Sequence, residues 1–167
     1  KHGLIADALH FSALSETNLE QPMPEELLSQ TIAIKEKITQ QDPKESGLRK
    51  ILNFGHTVGH ALESASHAGA KPLTHGHAIA LGMQVELQLS VQFSGLSPDA
   101  ATSALAVLER FYPWPQNSWS AASLENFLLG DKKNKQGQLG FSLLEKIGAA
   151  TYDVPVPPAA VWQALEK

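Results

Sequence analysis

The chain has no cysteine. That excludes disulfides and thiolate metal sites, and it fits a reducing compartment. It also lacks an excess of positive charge. Thirteen Lys and Arg stand against 17 Asp and Glu, a net charge of −4. No global basic field invites nucleic acid, so any anion site must be local. Nor is there an unbroken apolar run fit to span a bilayer. The most apolar stretch, Ala78–Leu96, is interrupted by Gln84, Glu86, Gln88 and Gln92 and reads as a buried helix. No basic run followed by an apolar core opens the chain. Gly-rich phosphate loop, Rossmann fingerprint, nucleophilic Ser elbow, internal repeat and low-complexity tract are all missing from the sequence. A dinucleotide, if one takes part, must be held by another domain. The expectation is a cytoplasmic protein with no membrane and no nucleic-acid partner.

What is present is ordinary for a globular domain. The 167 residues are 43% hydrophobic and 18% charged, enough for one domain with a real core. The chain begins at Lys1 without Met, directly in a helical pattern of Leu4, Ile5, Leu9 and Phe11. Such a start reads as a cut inside a longer protein, although a tag-cleaved product would look the same.

The most informative stretch is Glu45–Glu63, ESGLRKILNFGHTVGHALE. Read as one helix at about 100° per residue, it places Glu45, Arg49, Asn53, His56, His60 and Glu63 within an arc of about 80°. Ile51, Phe54, Val58, Leu62 and Ala65 fall on the opposite side. A solvated face usually carries Lys and Glu rather than two imidazoles and an amide. Gly55 and Gly59 each cost about 1 kcal/mol relative to Ala in a helix interior. Glycines there point to close approach of another backbone or a ligand. The expectation is an active-site helix with a packed face and a polar face.

Around it the pattern is mainly helical. Lys1–Leu14 reads as a helix or the end of one, and Ser15–Pro22 as a polar loop. Pro24 with Glu25 and Glu26 suits the first turn of a helix to about Gln40, which Asp42-Pro43 ends. Thr74 is a plausible N-cap for an all-round apolar helix from His75 to about Phe93. Ser97-Pro98-Asp99 caps another helix, to Phe111. Tyr112–Ser120 is an aromatic loop, and Ala121–Leu129 a short helix leading into Asp131-Lys132-Lys133-Asn134. Gly137–Ile147 predicts a small hairpin, Val154–Pro158 an extended segment, and Ala159–Glu166 a last helix.

Five of the seven histidines lie between His56 and His77. The HxxxH pair His56 and His60 is a weak signal alone, but His75 and His77 are only a loop away, and together they argue for a metal site. Arg49 is always protonated, so it cannot bind a metal; its fork suits carboxylate or phosphate. Asn53 can orient a hydroxyl. Glu45 is either a general base or simply the salt-bridge partner of Arg49. Lys132 and Lys133 read as a solvated charge run unless the substrate is anionic.

GLRKILNFGHTVGHALE followed by LTHGHAIALGM resembles 3-dehydroquinate synthase, of the sugar-phosphate cyclase group. KHGLIAD, IKEKITQQDPKESGLR and DKKNKQGQLGFSLLEKIG extend the likeness in order over nearly the whole chain. The resemblance implies a two-domain enzyme with an N-terminal NAD-binding α/β domain. Residues 1–167 correspond to its second, mainly α, bundle-like domain. The implied reaction converts the keto-acid phosphate DAHP to 3-dehydroquinate and phosphate in the shikimate pathway, with NAD and a divalent metal, Zn or Co. His56 and His75 are then metal ligands, which displaces the HxxxH pairing. His60 becomes a proton-transfer and substrate-binding residue and Glu45 a proton acceptor. Lys1, Lys35, Arg49 and Asn53 become substrate contacts, with one or both of Lys132 and Lys133 near the substrate. The resemblance also suggests a homodimer.

Two departures matter. The family's third ligand is the Glu of an AExxK motif whose Lys matches Lys1, so that Glu falls outside this sequence. Glu63, His77 or water is left to substitute. The family's HGE is here His75-Gly76-His77. Lacking an NAD domain and one ligand, the isolated chain is expected to be inactive. Competing readings are another sugar-phosphate cyclase, such as a 2-deoxy-scyllo-inosose synthase, and a non-catalytic metal- or anion-binding helical module.

Overall fold

A single apolar helix sets the architecture. Helix α5, His75–Phe93, buries residues around most of its circumference, which places it at the centre of the domain. Its two flanks feed two cores. Leu81, Val85 and Leu89 pack with Val58, Leu62, Phe141 and Val161. Ala80, Met83 and Leu87 pack with Leu4, Ile38, Phe54, Leu108 and Leu144.

The computed structural model describes residues 1–18, 21–67, 71–115, 119, 124–125, 127–128 and 139–166. The elements before α5 are α1 (His2–Ala6), α2 (Ala8–Ser15), α3 (Glu25–Gln41), a 3-10 helix (Leu48–Asn53) and α4 (His56–Ser66). After it come α6 (Pro98–Phe111), strands β1 (Leu139–Lys146) and β2 (Ala149–Val156), and α7 (Pro158–Leu165). The two strands form an antiparallel hairpin. The mainly α, bundle-like class with one small hairpin is what the sequence predicts. Among the described residues no helix is long and apolar enough to cross a membrane.

Several boundaries differ from expectation, each for a local reason. The predicted Lys1–Leu14 helix is two helices. Asp7 takes an extended conformation between them, and its carboxylate accepts the His10 N–H at 2.9 Å to start α2. The hairpin is larger and later than Gly137–Ile147: residues through Lys146 form only its first strand, and the second runs to Val156. The predicted short helix 121–129 and the loop at Lys132 and Lys133 lie wholly or largely outside the described residues.

The chief correction concerns Glu45–Glu63, which is not one helix. A turn at Asp42–Ser46 and the 3-10 helix precede Gly55, whose φ of +84° breaks the chain before α4 begins. The Asp42 carboxylate gathers the amides of Ser46, Gly47 and Arg49 at 3.1, 2.7 and 3.1 Å. Those bonds replace helical ones and hold the Asp42 carboxyl below the usual range, the Gly47 N–H first among them. The apolar side is read correctly: Ile51, Phe54, Val58 and Leu62 are all buried.

Candidate metal and substrate site

His56 is the first residue of α4, His60 follows one turn later, and His75 is the first residue of α5. Thr74 fixes the start of α5, its hydroxyl accepting the His77 N–H. The packing of α5 on α4 thus brings His75 to the mouth of α4. Ring centroids are 5.2 Å apart for His56 and His60, 5.8 Å for His56 and His75, and 5.6 Å for His60 and His75. One ring nitrogen from each lies within 4.8 Å of the others.

The donor set suits a divalent cation such as zinc or cobalt, for which neutral imidazoles are ordinary ligands. His56 Nδ1 is 3.3 Å from the Phe54 carbonyl, and His75 Nδ1 is 2.9 Å from Glu63 Oε2. Each acceptor engages Nδ1 and leaves Nε2 as the ligand nitrogen, the outer-shell arrangement typical of metal-bound histidine. Burial holds the His56 pKa down at about 4, with the nearby Lys1 charge adding to the effect. The ring is therefore neutral at physiological pH, as ligation requires. The hydrogen bond to His75 lowers the Glu63 pKa.

Glu63 supports His75 and is not itself in the trio, so this candidate for third ligand has another task. His77 is likewise elsewhere: its ring faces Tyr112, with centroids 5.6 Å apart. His60 is the residue that joins His56 and His75. Of the two earlier pairings, His56 with His60 and His56 with His75, the fold brings both together.

Of the remaining predicted residues, Glu45, Arg49 and Asn53 form a polar group of their own, Lys35 acts as a charge on Lys1, and Lys132 and Lys133 lie outside the described residues. Asn53 Nδ2 donates to Glu45 Oε1 at 2.9 Å, and Arg49 Nε lies 3.9 Å from Glu45 Oε2. Arg49 Nη1 donates to the Pro43 carbonyl at 3.0 Å. Glu45 is thus partnered by Arg49 as well as by Asn53, and the broken backbone, not a helical face, arranges the three. Lys1 Nζ donates to the Leu52 carbonyl at 2.8 Å. Burial, with Lys35 nearby, lowers its pKa to about 8. Lys1 electrostatically links this group to His56.

One buried residue escaped the sequence reading. Glu86, in the middle of α5, is fully buried. Its carboxylate accepts the Gly55 N–H at 2.6 Å and the Val58 N–H at 3.4 Å. Burial pushes its pKa up to about 8, against the pull of these amides and that of Thr57. The available signal was a lone acid between Val85 and Leu87 in an otherwise apolar helix.

The family model for the 3-dehydroquinate synthase C-terminal domain matches residues 1–134. The chain belongs to that family. A 3-dehydroquinate synthase from Parabacteroides distasonis is 33% identical over 99% of this chain and 48% of its own length. One from Enterococcus faecalis is 39% identical over 90% of this chain and 42% of its own. The chain thus spans about half the length of the curated relatives it matches. Among solved structures, a 2-epi-5-epi-valiolone synthase from Streptomyces hygroscopicus with NAD+ and Zn2+ bound has a TM-score of 0.79. It is 22% identical over 98% of this chain and 47% of that one. A 2-deoxy-scyllo-inosose synthase complexed with carbaglucose-6-phosphate, NAD+ and Co2+ has a TM-score of 0.74 at 21% identity, covering 98% of this chain and 48% of that one. At such identities the two structures establish the shared fold of the 3-dehydroquinate synthase C-terminal family and its cyclase neighbours.

Proposed function

We propose that this chain is the metal- and substrate-binding half of a 3-dehydroquinate synthase acting on DAHP. The observation that carries the reading is the convergence of His56, His60 and His75, with Glu45, Arg49 and Asn53 grouped on the segment that leads into α4. His56 and His75 would hold the divalent metal, oriented by the Phe54 carbonyl and by Glu63. When bound, the metal supplies a Lewis acid for charge developing on a substrate oxygen, and NAD+, held by the other half of the enzyme, supplies a reversible oxidation.

The chain's own residues do the rest. Lys1, Lys35 and Arg49 supply positive charge for the phosphate and carboxylate of the substrate, with Lys132 or Lys133 a further cation. Arg49 is suited to a bidentate grip. Asn53 orients a hydroxyl. Glu45, held by Asn53 Nδ2, accepts a proton, and His60 transfers protons within the trio. The same reading makes the full-length protein a cytoplasmic homodimer with an N-terminal NAD-binding domain, of which residues 1–167 are the C-terminal partner.

The test is steady-state turnover by the full-length protein with DAHP and, separately, glucose 6-phosphate. Activity on DAHP that His56→Ala abolishes is the expected result, with none from residues 1–167 alone. Turnover of glucose 6-phosphate but not DAHP would replace the reading with that of another cyclase. Retention of DAHP turnover by His56→Ala would remove the trio from the chemistry.

A further inference from the structure

We propose that Glu86 is a positioning residue for the histidine trio, capping α4 from inside α5 and thereby fixing His56 against His75. The inference rests on the metal reading above. Helix α4 has no cap of its own, since its N-cap residue is Gly55 and no side chain from that position can accept an amide. The exposed N–H groups of a first turn need an acceptor. Glu86 provides it from the neighbouring helix, taking Gly55 at 2.6 Å and Val58 at 3.4 Å. These residues bracket His56. Among the described residues no cation lies in salt-bridge contact with Glu86. Burial favours its neutral form, and the first-turn amides of α4 together with the Lys1 charge oppose that burial.

The geometry gives the cap a use beyond stability. Glu86 and His75 are both on α5, eleven residues apart, about 16 Å along the axis. At one end α5 presents an imidazole to the trio; farther along it clamps the amides beside His56. Gly82 lies between them, where a Cβ would fall 2.1 Å from the Gly55 carbonyl and 2.6 Å from the Gly59 amide. α4 and α5 therefore meet backbone to backbone at this level. The rotation and height of α4 on α5 are set by this contact and by the carboxylate. Glu86 touches neither substrate nor metal in this account and acts through the first turn of α4.

The experiment uses the full-length protein with Co2+ as probe. Affinity is measured by titration, and ligand geometry by the visible absorption of bound Co2+. Glu86→Gln retains the shape but offers only one acceptor oxygen, so it leaves part of the first turn unsatisfied. Weakening of Co2+ binding by about 10–100-fold, with an altered visible band, is expected, as for other losses of outer-shell support. Leu108→Ala, a core change on α6, should lower the melting temperature yet keep affinity within about threefold, since no outer-shell partner is touched. A folded Glu86→Gln protein with wild-type affinity and spectrum would overturn the inference. Should that variant fail to fold, amide exchange in the wild type decides. Co2+ should slow exchange at Gly55, Thr57 and Val58, and unchanged exchange there would overturn the inference. Wild type that binds no Co2+ would instead overturn the metal reading beneath it.

Discussion

Replacing Gly82 by Ala tests whether the helix interface sets the site. A Cβ added there would lie 2.1 Å from Gly55 O, 2.6 Å from Gly59 N and 3.0 Å from Gly59 Cα. All three are backbone atoms, which no rotamer change can move aside. Comfortable contact needs about 3.5 Å, so α4 and α5 must part by about 1 Å or more. Overpacking costs about 1–3 kcal/mol, and a backbone clash belongs at the upper end. Against it, Ala gains about 1 kcal/mol over Gly in a helix interior. The net expectation is a loss of about 2 kcal/mol, or about 4–8 °C in melting temperature for a chain of this size. Gly76→Ala is the matched control, because nothing lies within 4 Å of its Cβ position. It should change stability by between nothing and about 1 kcal/mol, in the favourable direction. Thermal unfolding by circular dichroism, run on both variants, separates the cases. Co2+ titration of Gly82→Ala should also show at least about tenfold weaker binding, as His56 and His60 move relative to His75. A Gly82→Ala protein that melts with or above the wild type, or no lower than Gly76→Ala, would refute the close-approach argument.

Two further outcomes follow from the hydrogen bonds. Glu63→Gln should weaken Co2+ binding by about 10–100-fold, because His75 loses the charged acceptor that orients it and raises its basicity; isothermal titration at neutral pH measures this. Asp42→Asn should destabilise the turn that carries Glu45 and Arg49, in a pH-dependent way. The Asp42 pKa is lower folded than its ordinary 3.8, chiefly through the Gly47 N–H. Its contribution is therefore present above about pH 4 and is lost as pH falls through the folded value. Urea midpoints for wild type and Asp42→Asn should differ most near neutrality and converge in acid; a gap independent of pH would contradict the assignment.

Helices α5 and α6 were legible in the sequence because their starts are chemically marked. Thr74 accepts from the His77 amide and Ser97 from the Ala100 amide, so α5 and α6 begin where those side chains say they should. Such marks act within four residues. The breaks at Asp7 and Gly55 were harder. Asp7 is a good N-cap, but in the run HGLIADALHFSAL it competes with continuous apolar periodicity. Gly55 and Gly59 look alike in the pattern, yet only Gly55 takes a positive φ. Both are crowded by α5; what distinguishes Gly55 is its place at the break between the 3-10 helix and α4, where Glu86 of α5 takes its N–H. No spacing within ESGLRKILNFGHTVGHALE encodes that neighbour.

The candidate site divides along the same line. His56, His60 and Glu63 share a helical face, and their proximity follows from a period of 3.6 residues. The approach of His75 does not. It depends on how α5 packs on α4, and the pairing of Glu63 with His75 spans twelve residues. The likeness to the family supplied His75 by matching letters, while in the fold the close approach of α5 to α4 runs through Gly82. Glu86 lies beyond both sources of inference. Its partners are backbone amides, which carry no side-chain signature, and an isolated acid in an apolar helix reads as an interruption until the opposing helix end is in view. Under the proposed reading, a metal site assembled from two helices needs something to fix their relative height as well as residues to bind the ion. Here the fixing elements are a hydrogen atom where a side chain would stand and a carboxylate serving a helix other than its own.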